Sequence, residues 1–146
     1  MSSYRKLAIV MAINAVVMFL LTYALIDSLD HFHVNINRIY MALMMVAPMV
    51  ILMVIVMRSM FGNMRLNIAL LAGAAAVFLG SFFLARSQTP VGNEQFLRSM
   101  IPHHSSAILM CERSSITDPQ IVTLCEEIVR AQEREIAEME AILSGR

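Results

Sequence analysis

The chain has 146 residues, of which 58% are hydrophobic and 15% are charged, and its formal net charge is zero. Its mean hydropathy is +0.68. This balance is far from that of an ordinary soluble domain and makes a membrane protein the first hypothesis. The segment from Arg86 to Arg146 is mildly acidic. Because no basic footprint is present, we expect no nucleic-acid partner.

Three apolar runs without a charged side chain are each about long enough to cross a bilayer as a helix. They are Leu7–Ile26, Ile39–Met57 and Leu66–Leu84. The first exceeds a typical signal-peptide core and has no clean cleavage site after it, which favours an uncleaved span over a signal peptide. The sequence therefore predicts transmembrane helices at about residues 7–29, 39–60 and 66–86, within a transmembrane region of residues 1–87 and with the lipid bilayer as a partner.

The orientation of the spans follows from the short flanking segments, because Lys and Arg are retained in the cytoplasm. Arg5 and Lys6 precede the first span, and Arg58 and Arg65 bracket the loop between the second and third spans. We therefore expect a cytoplasmic N-terminus and an exported C-terminal domain. In a Gram-negative bacterium this corresponds to the inner (cytoplasmic) membrane and the periplasm.

Residues 88–146 have the pattern of an antiparallel helical hairpin. Asn93 is predicted to cap a first helix at about Glu94–Ser114, and Thr117 or Asp118 to cap a second helix that begins at Pro119 and ends near residue 143. Two helices of this size bury little surface alone. The predicted fold is thus all-α: three transmembrane helices followed by a periplasmic hairpin that is half of a four-helix bundle. We expect a homodimer or higher homo-oligomer.

The first helix of this hairpin carries a distinctive set of metal-binding side chains. Met100, His103, His104, Ala107 and Cys111 fall on one face of a helix. Thioether and thiolate groups select Cu(I), and imidazole also binds copper. This face therefore predicts a copper site, although packed or solvated histidines are the alternative interpretation.

A register that pairs Cys111 with Cys125 places His104 beside Gln132 on the second helix. Glu135 and Met139 then lie on the same strip of that helix. Gln132 or Glu135 could orient an imidazole ring, whereas Glu135 could equally be a solvated charge. The sequence is compatible with both interpretations.

The two cysteines also admit two interpretations. In an oxidising compartment Cys111 and Cys125 are most simply a disulfide, which would stabilise the hairpin by roughly 3 kcal/mol in the chain-entropy model. Alternatively they are metal ligands or a redox pair, although their spacing matches no known redox or zinc motif. The sequence favours the disulfide.

Methionine is unusually frequent, with 14 residues in the chain. A stripe along the second span recurs at every fourth position: Met41, Met45, Met49, Met53 and Met57. Packing among lipid and neighbouring helices explains such a stripe, and a sulfur-lined path for Cu(I) is the functional alternative. His31 and His33, in the exported loop, are candidates for a second metal site or are simply solvated.

The sequence resembles a known family in two stretches. These are Phe96-Leu97-Arg98-Ser99-Met100-Ile101-Pro102-His103-His104-Ser105-Ser106-Ala107-Ile108-Leu109-Met110, and Gln132-x-x-Glu135-Ile136-x-x-Met139. Together they look like the domain of unknown function 305, a ferritin-like helical family, over about residues 94–143. The resemblance implies, for CopM-like members, periplasmic binding of copper or silver in copper resistance. The residues that match are Met100, His103, His104, Met110 and Met139.

The leading functional hypothesis is a membrane-anchored periplasmic protein that binds Cu(I), with Ag(I) as the second candidate, and sequesters or relays it. A copper-handling membrane protein is then a candidate partner. The alternative is a structural or assembly subunit whose hairpin recognises another protein without metal. We do not expect an enzyme, because the paired Glu-x-x-His motifs of a di-iron bundle, a phosphate loop and a nucleophile elbow are all missing from the sequence.

Overall fold

A computed structural model describes residues 3–145, and all the regular elements in this range are helical. The α-helices are α1 (Ser3–Leu21), α2 (Ile36–Val56), α3 (Met64–Ser87), α4 (Asn93–Arg113) and α5 (Pro119–Ser144). Short 3₁₀ turns lie at Leu29–His31 and Arg58–Met60. The all-α prediction is confirmed. The outer limits of the two predicted regions, residues 1 and 146, lie outside the described residues.

The contacts divide the chain into two compact units. The span unit comprises the residues up to Thr22 together with Asn37–Pro90, and the hairpin unit comprises Tyr23–Ile36 together with the residues from Val91 onward. The segment Tyr23–Ile36, called the strap below, therefore belongs with the helical hairpin although it lies between α1 and α2 in the sequence.

Three helices of the span unit, α1, α2 and α3, are long and apolar enough to cross a membrane. Their large apolar side chains are mostly exposed, as at Ile13 and Leu52, which is what a lipid-facing helix requires. The internal core of the unit is small and is formed by Leu7, Val54 and Phe61. These observations identify the chain as a membrane protein by length and composition.

Several helix ends differ from the predicted ones. The first helix begins at Ser3 rather than near residue 7, and α2 covers Ile36–Val56 rather than about residues 39–60. The first helix ends at Leu21 rather than near residue 29, because the residues from Tyr23 onward pack with the hairpin unit as the strap. The cap of α4 is Gly92 and not Asn93, which is already the first helical residue. Of the two predicted caps of α5, Thr117 and Asp118, the structure confirms Asp118. Its carboxylate accepts hydrogen bonds from the main-chain N–H groups of Gln120 and Ile121.

The helices α4 and α5 pack against each other as a hairpin. Their shared core consists of buried apolar side chains that recur at helical spacing: Leu97, Ile101, Ile108, Ile136 and Met139. Ile101 is completely buried. Each helix therefore buries one apolar stripe against the other, as the periodicity predicts.

Pro102 lies inside α4 and is buried. Proline has no main-chain N–H, so the carbonyl of Arg98, four residues earlier, loses its helical donor. The strap supplies a replacement, because Asn35 Nδ2 donates to the Arg98 carbonyl oxygen (3.2 Å). Asn35 is itself only 2% exposed. The hydrogen bond that the proline removes from α4 is thus replaced by one from a side chain in another part of the sequence.

Two further hydrogen bonds hold the strap on α4. The main-chain N–H of Ile36 donates to Gln95 Oε1 (3.0 Å), and that of Asp27 donates to Ser105 Oγ (2.7 Å). Ser105 is fully buried. The strap is therefore attached on both sides of Pro102.

The link between Asn35 and Pro102 can be measured with a double-mutant cycle. Asn35→Ala should lower the free energy of unfolding of the hairpin unit by about 1–3 kcal/mol, because it leaves the Arg98 carbonyl without a donor. In a Pro102→Ala background the restored main-chain N–H can serve that carbonyl, and the same substitution should cost less. Denaturant unfolding of the full chain in detergent, followed by circular dichroism, gives both values. Equal costs in the two backgrounds would show that the proline and the asparagine are not coupled.

Candidate metal site in the helical hairpin

His104 lies on α4 and is 9% exposed. Its Nδ1 lies 2.9 Å from the Met100 carbonyl oxygen, and its Nε2 lies 2.7 Å from Glu135 Oε2 on α5. A carbonyl can only accept, so Nδ1 carries a proton in this arrangement. Nε2 is then the nitrogen that faces α5, and it makes an ion-pair hydrogen bond with Glu135 when it too is protonated.

A small cavity of about 240 Å³ opens beside this ring. Its lining combines two thioethers, one imidazole and two carboxylates with an apolar border: Met100, Met139, His104, Glu135, Glu138, Phe96 and Ile142. Met139 is 9% exposed. Three of the predicted metal ligands, Met100, His104 and Met139, thus line one cavity.

The other two predicted ligands of the main set lie elsewhere. His103 is exposed, and its ring centroid is 6.1 Å from that of His104. Met110 is 62% exposed. Neither side chain lines the cavity at His104, because consecutive helical residues point about 100° apart and Met110 lies nearly two turns further along α4.

The structure pairs Cys111 with Cys125 in a disulfide whose Cα atoms are 5.3 Å apart. Both cysteines line an open groove of about 480 Å³ near the turn of the hairpin. In this disulfide neither sulfur is a thiolate, so the pair does not join the candidate ligands at His104.

Glu135, rather than Gln132, meets the imidazole of His104. The Glu135 side chain is 44% exposed, so it combines a contact with a buried ring and access to solvent. The sequence left the choice between these two residues open, and the structure assigns the contact to the carboxylate.

The histidines of the strap have separate surroundings. His31 Nδ1 lies 2.8 Å from Ser105 Oγ, and His31 lines a second cavity of about 330 Å³ with Asp27, Glu133 and Glu140. The part of the chain that the structure describes contains no group of three or more His, Cys, Asp or Glu side chains arranged to hold a metal ion. A site at His104 would therefore depend on the thioethers of methionine.

The methionine stripe of α2 divides into two halves. Met41, Met45 and Met49 are about two-fifths exposed. Met53 and Met57 pack against the core of the span unit. The packing interpretation therefore accounts for the second half of the stripe.

Sequence reasoning missed Asn35 and Ser105. Pro102 gave a usable signal, because a proline inside a helix always frees a carbonyl. The identity of the donor could not be read from the sequence, since it lies more than 60 residues from that carbonyl.

These features define a helical membrane protein with a strapped two-helix domain. Residues 83–143 match the family described as "Domain of unknown function (DUF305)". The chain is also 31% identical over 122 residues to "Uncharacterized protein L153" of Acanthamoeba polyphaga mimivirus, an alignment that covers 82% of this chain and 78% of the relative. No solved structure matches the chain. The chain therefore carries a DUF305 domain at residues 83–143 and belongs to one family with the viral relative, since their similarity extends beyond the matched domain into the apolar helices.

The pKa of His33, in the strap, is lowered from its ordinary value of 6.5. Burial is the main cause, and the positive charge of Arg98 adds to it, while Glu140 acts in the opposite direction. The Nε2 atom of His33 is buried and has no hydrogen-bond partner among residues 3–145. The folded protein therefore favours the neutral ring, and this contribution to stability falls as the pH drops below about 6.5.

We expect an NMR titration of the full chain in detergent, read at the ring protons of His33, to give a midpoint below 6.5. Arg98→Gln should raise the midpoint, because it removes a charge that disfavours the imidazolium. Glu140→Gln should lower it, and Glu127→Gln, at an exposed position on the same helix, is the matched control. A midpoint at or above 6.5 in the wild type would contradict the assignment.

Proposed function

We propose that the hairpin unit binds a soft monovalent metal ion, Cu(I) in the first place and Ag(I) in the second. The protein then acts as a membrane-anchored binder that sequesters or relays this ion, and not as an enzyme. The observation that carries the proposal is the convergence of Met100, His104 and Met139 on one cavity.

The donor set fits this metal. Thioether sulfur is a soft ligand that favours Cu(I), and a neutral imidazole nitrogen completes such a set. The Met100 carbonyl holds a proton on His104 Nδ1, which leaves Nε2 as the nitrogen that would bind the ion. Fixing the tautomer in this way is a common role of groups that contact a metal-binding histidine.

Glu135 has the position to respond to the metal. Its carboxylate contacts Nε2 but is 44% exposed, so it can turn toward solvent without leaving a buried charge. With Glu138, which lines the same cavity, it also provides negative charge that attracts a cation.

The test is an anaerobic titration of the purified full chain with Cu(I) against a competing chelator. Met100→Leu, His104→Ala and Met139→Leu should each raise the Kd by about ten-fold or more, because each removes a proposed ligand. His103→Ala and Met110→Leu are matched controls at exposed positions outside the cavity and should leave the Kd unchanged.

Weak binding by the wild type would contradict the copper proposal. An equal loss in the controls would place the site elsewhere on α4. The same titration gives the stoichiometry, and one ion per two chains would support the homodimer that we propose to complete the four-helix bundle.

A second candidate function is recognition of another protein, such as a subunit of a membrane complex, without metal. The groove beside the disulfide favours it, because Ile116, Val122 and Val129 form apolar parts of its lining. Leu124 and Met110, near the turn, are also more than half exposed. If the chain does not bind Cu(I) but binds a protein partner with or without metal, this second function is the better one. A copper-handling membrane protein would instead bind the chain only in the presence of metal.

We further propose that the protein lies in a bacterial inner membrane with a cytoplasmic N-terminus and a periplasmic hairpin unit. The positive-inside rule supports it, because Arg58 lies in the turn between α2 and α3, Arg65 lies at the start of α3, and no acidic residue is found between them.

Single cysteines introduced at exposed positions test this orientation, since the native cysteines are paired in a disulfide. In intact cells with a permeable outer membrane, an impermeant maleimide should label Glu127→Cys. It should label Ser59→Cys, in the turn after α2, only after the inner membrane is opened. The reverse pattern would invert the topology.

A further inference from the structure

The phenol of Tyr4 joins the start of α1 to the turn between α2 and α3. Its hydroxyl accepts from the main-chain N–H of Asn63 (3.0 Å) and lies 2.9 Å from Asn67 Oδ1 and 3.2 Å from the Asn63 carbonyl oxygen. The hydroxyl has one proton, and Asn67 Oδ1 is the nearer acceptor. Asn67 Nδ2 in turn donates to the Phe61 carbonyl (2.8 Å), and the Tyr4 ring packs on the Phe61 ring at a centroid distance of 5.1 Å.

This junction places basic side chains from two distant segments at one end of the span unit. Arg5 and Lys6 directly follow Tyr4. Arg58 lies in the turn that contains Asn63, and Arg65 follows this turn at the start of α3. All four side chains are exposed. None of the chain's 11 acidic residues lies in residues 1–22 or 37–90, so the unit contains no carboxylate side chain to neutralise them.

The other end of the unit is arranged differently. The start of α2 meets the end of α3 there, because Tyr40 donates to the Thr89 carbonyl (2.7 Å) and Asn37 donates to Gln88 Oε1 (3.0 Å). Arg38 and Arg86 are the basic residues near this end. The positive charge is thus concentrated at the end that Tyr4 organises.

We propose that this basic end is a binding site for the phosphate of an anionic phospholipid headgroup. Guanidinium groups bind phosphate oxygens through paired hydrogen bonds, and basic residues at the end of a membrane helix attract anionic lipid. The site sits where apolar helices of membrane-spanning length end, which is where a headgroup lies when its acyl chains pack against α1 and α3. Tyr4 is a positioning residue, because it holds the two basic segments together without itself carrying charge.

Native mass spectrometry of the full chain, released from micelles that contain equal amounts of phosphatidylglycerol and phosphatidylcholine, tests this site. The wild type should retain phosphatidylglycerol in clear preference. Arg58→Gln with Arg65→Gln should reduce the ratio of bound phosphatidylglycerol to phosphatidylcholine by about ten-fold. Arg38→Gln with Arg86→Gln removes the same charge from the other end and should leave most of the preference in place.

Two further arms separate a built site from net charge and from a soluble ligand. Tyr4→Phe keeps the ring and every charge but removes the hydroxyl, and it should also reduce the ratio. Inorganic phosphate at the lipid concentration should not displace the lipid. Equal retention of both lipids by the wild type, equal losses in the two double variants, an unchanged ratio in Tyr4→Phe, or displacement by inorganic phosphate would each overturn the proposal.

Discussion

The carbonyl of Arg98, deprived of its helical donor by Pro102, is the constraint on which the hairpin unit is built. A main-chain acceptor in a partly buried position costs stability when it has no donor, and α4 cannot supply one at this point. Asn35, in the strap, donates the missing hydrogen bond and holds the strap against α4. In the same strap, Asp27 and His31 contact Ser105. Through this hydrogen bond from Asn35, the absence of an N–H group at Pro102 is linked to the packing of the strap on α4, although the strap lies between two membrane helices in the sequence.

The same stretch of α4 presents His104 to α5. The contact with Glu135 shows why a register counted from the disulfide is only approximate. Counting from Cys111 and Cys125 pairs His104 with Gln132, three residues before the observed partner. Side chains on a helix lean toward its N-terminus, so the carboxylate of Glu135 reaches back along α5 to the level of His104. Residue counting places the Cα atoms, whereas the direction and length of the side chain decide the contact.

Much of the fold could be predicted because it depends on local signals. Apolar runs of membrane length gave the three long helices, and Asp118 followed by Pro119 gave the start of α5. The end of α1 at Leu21 could not be predicted, because residues 22–26 are nearly as apolar as the span and their departure depends on distant contacts of the strap. For the candidate site, helical spacing identified Met100, His104 and Met139. Spacing did not separate them from His103, and the family resemblance added Met110. The exposure of both side chains depends on how α4 packs on α5.

The two units differ in charge as well as in hydropathy. All 11 acidic residues lie in the strap or after Val91, while six of the 11 basic residues lie in the span unit: Arg5, Lys6, Arg38, Arg58, Arg65 and Arg86. The net charge of zero is therefore the sum of a positively charged span unit and a negatively charged hairpin unit. At the proposed metal site, the negative field of the hairpin unit would raise the local concentration of cations, and Met100 and Met139 would favour soft ions among them. At the proposed site, carboxylates would thus attract the metal ion and thioethers would select it. A change in surface carboxylates would alter the association rate of the metal ion more than the selectivity of the site.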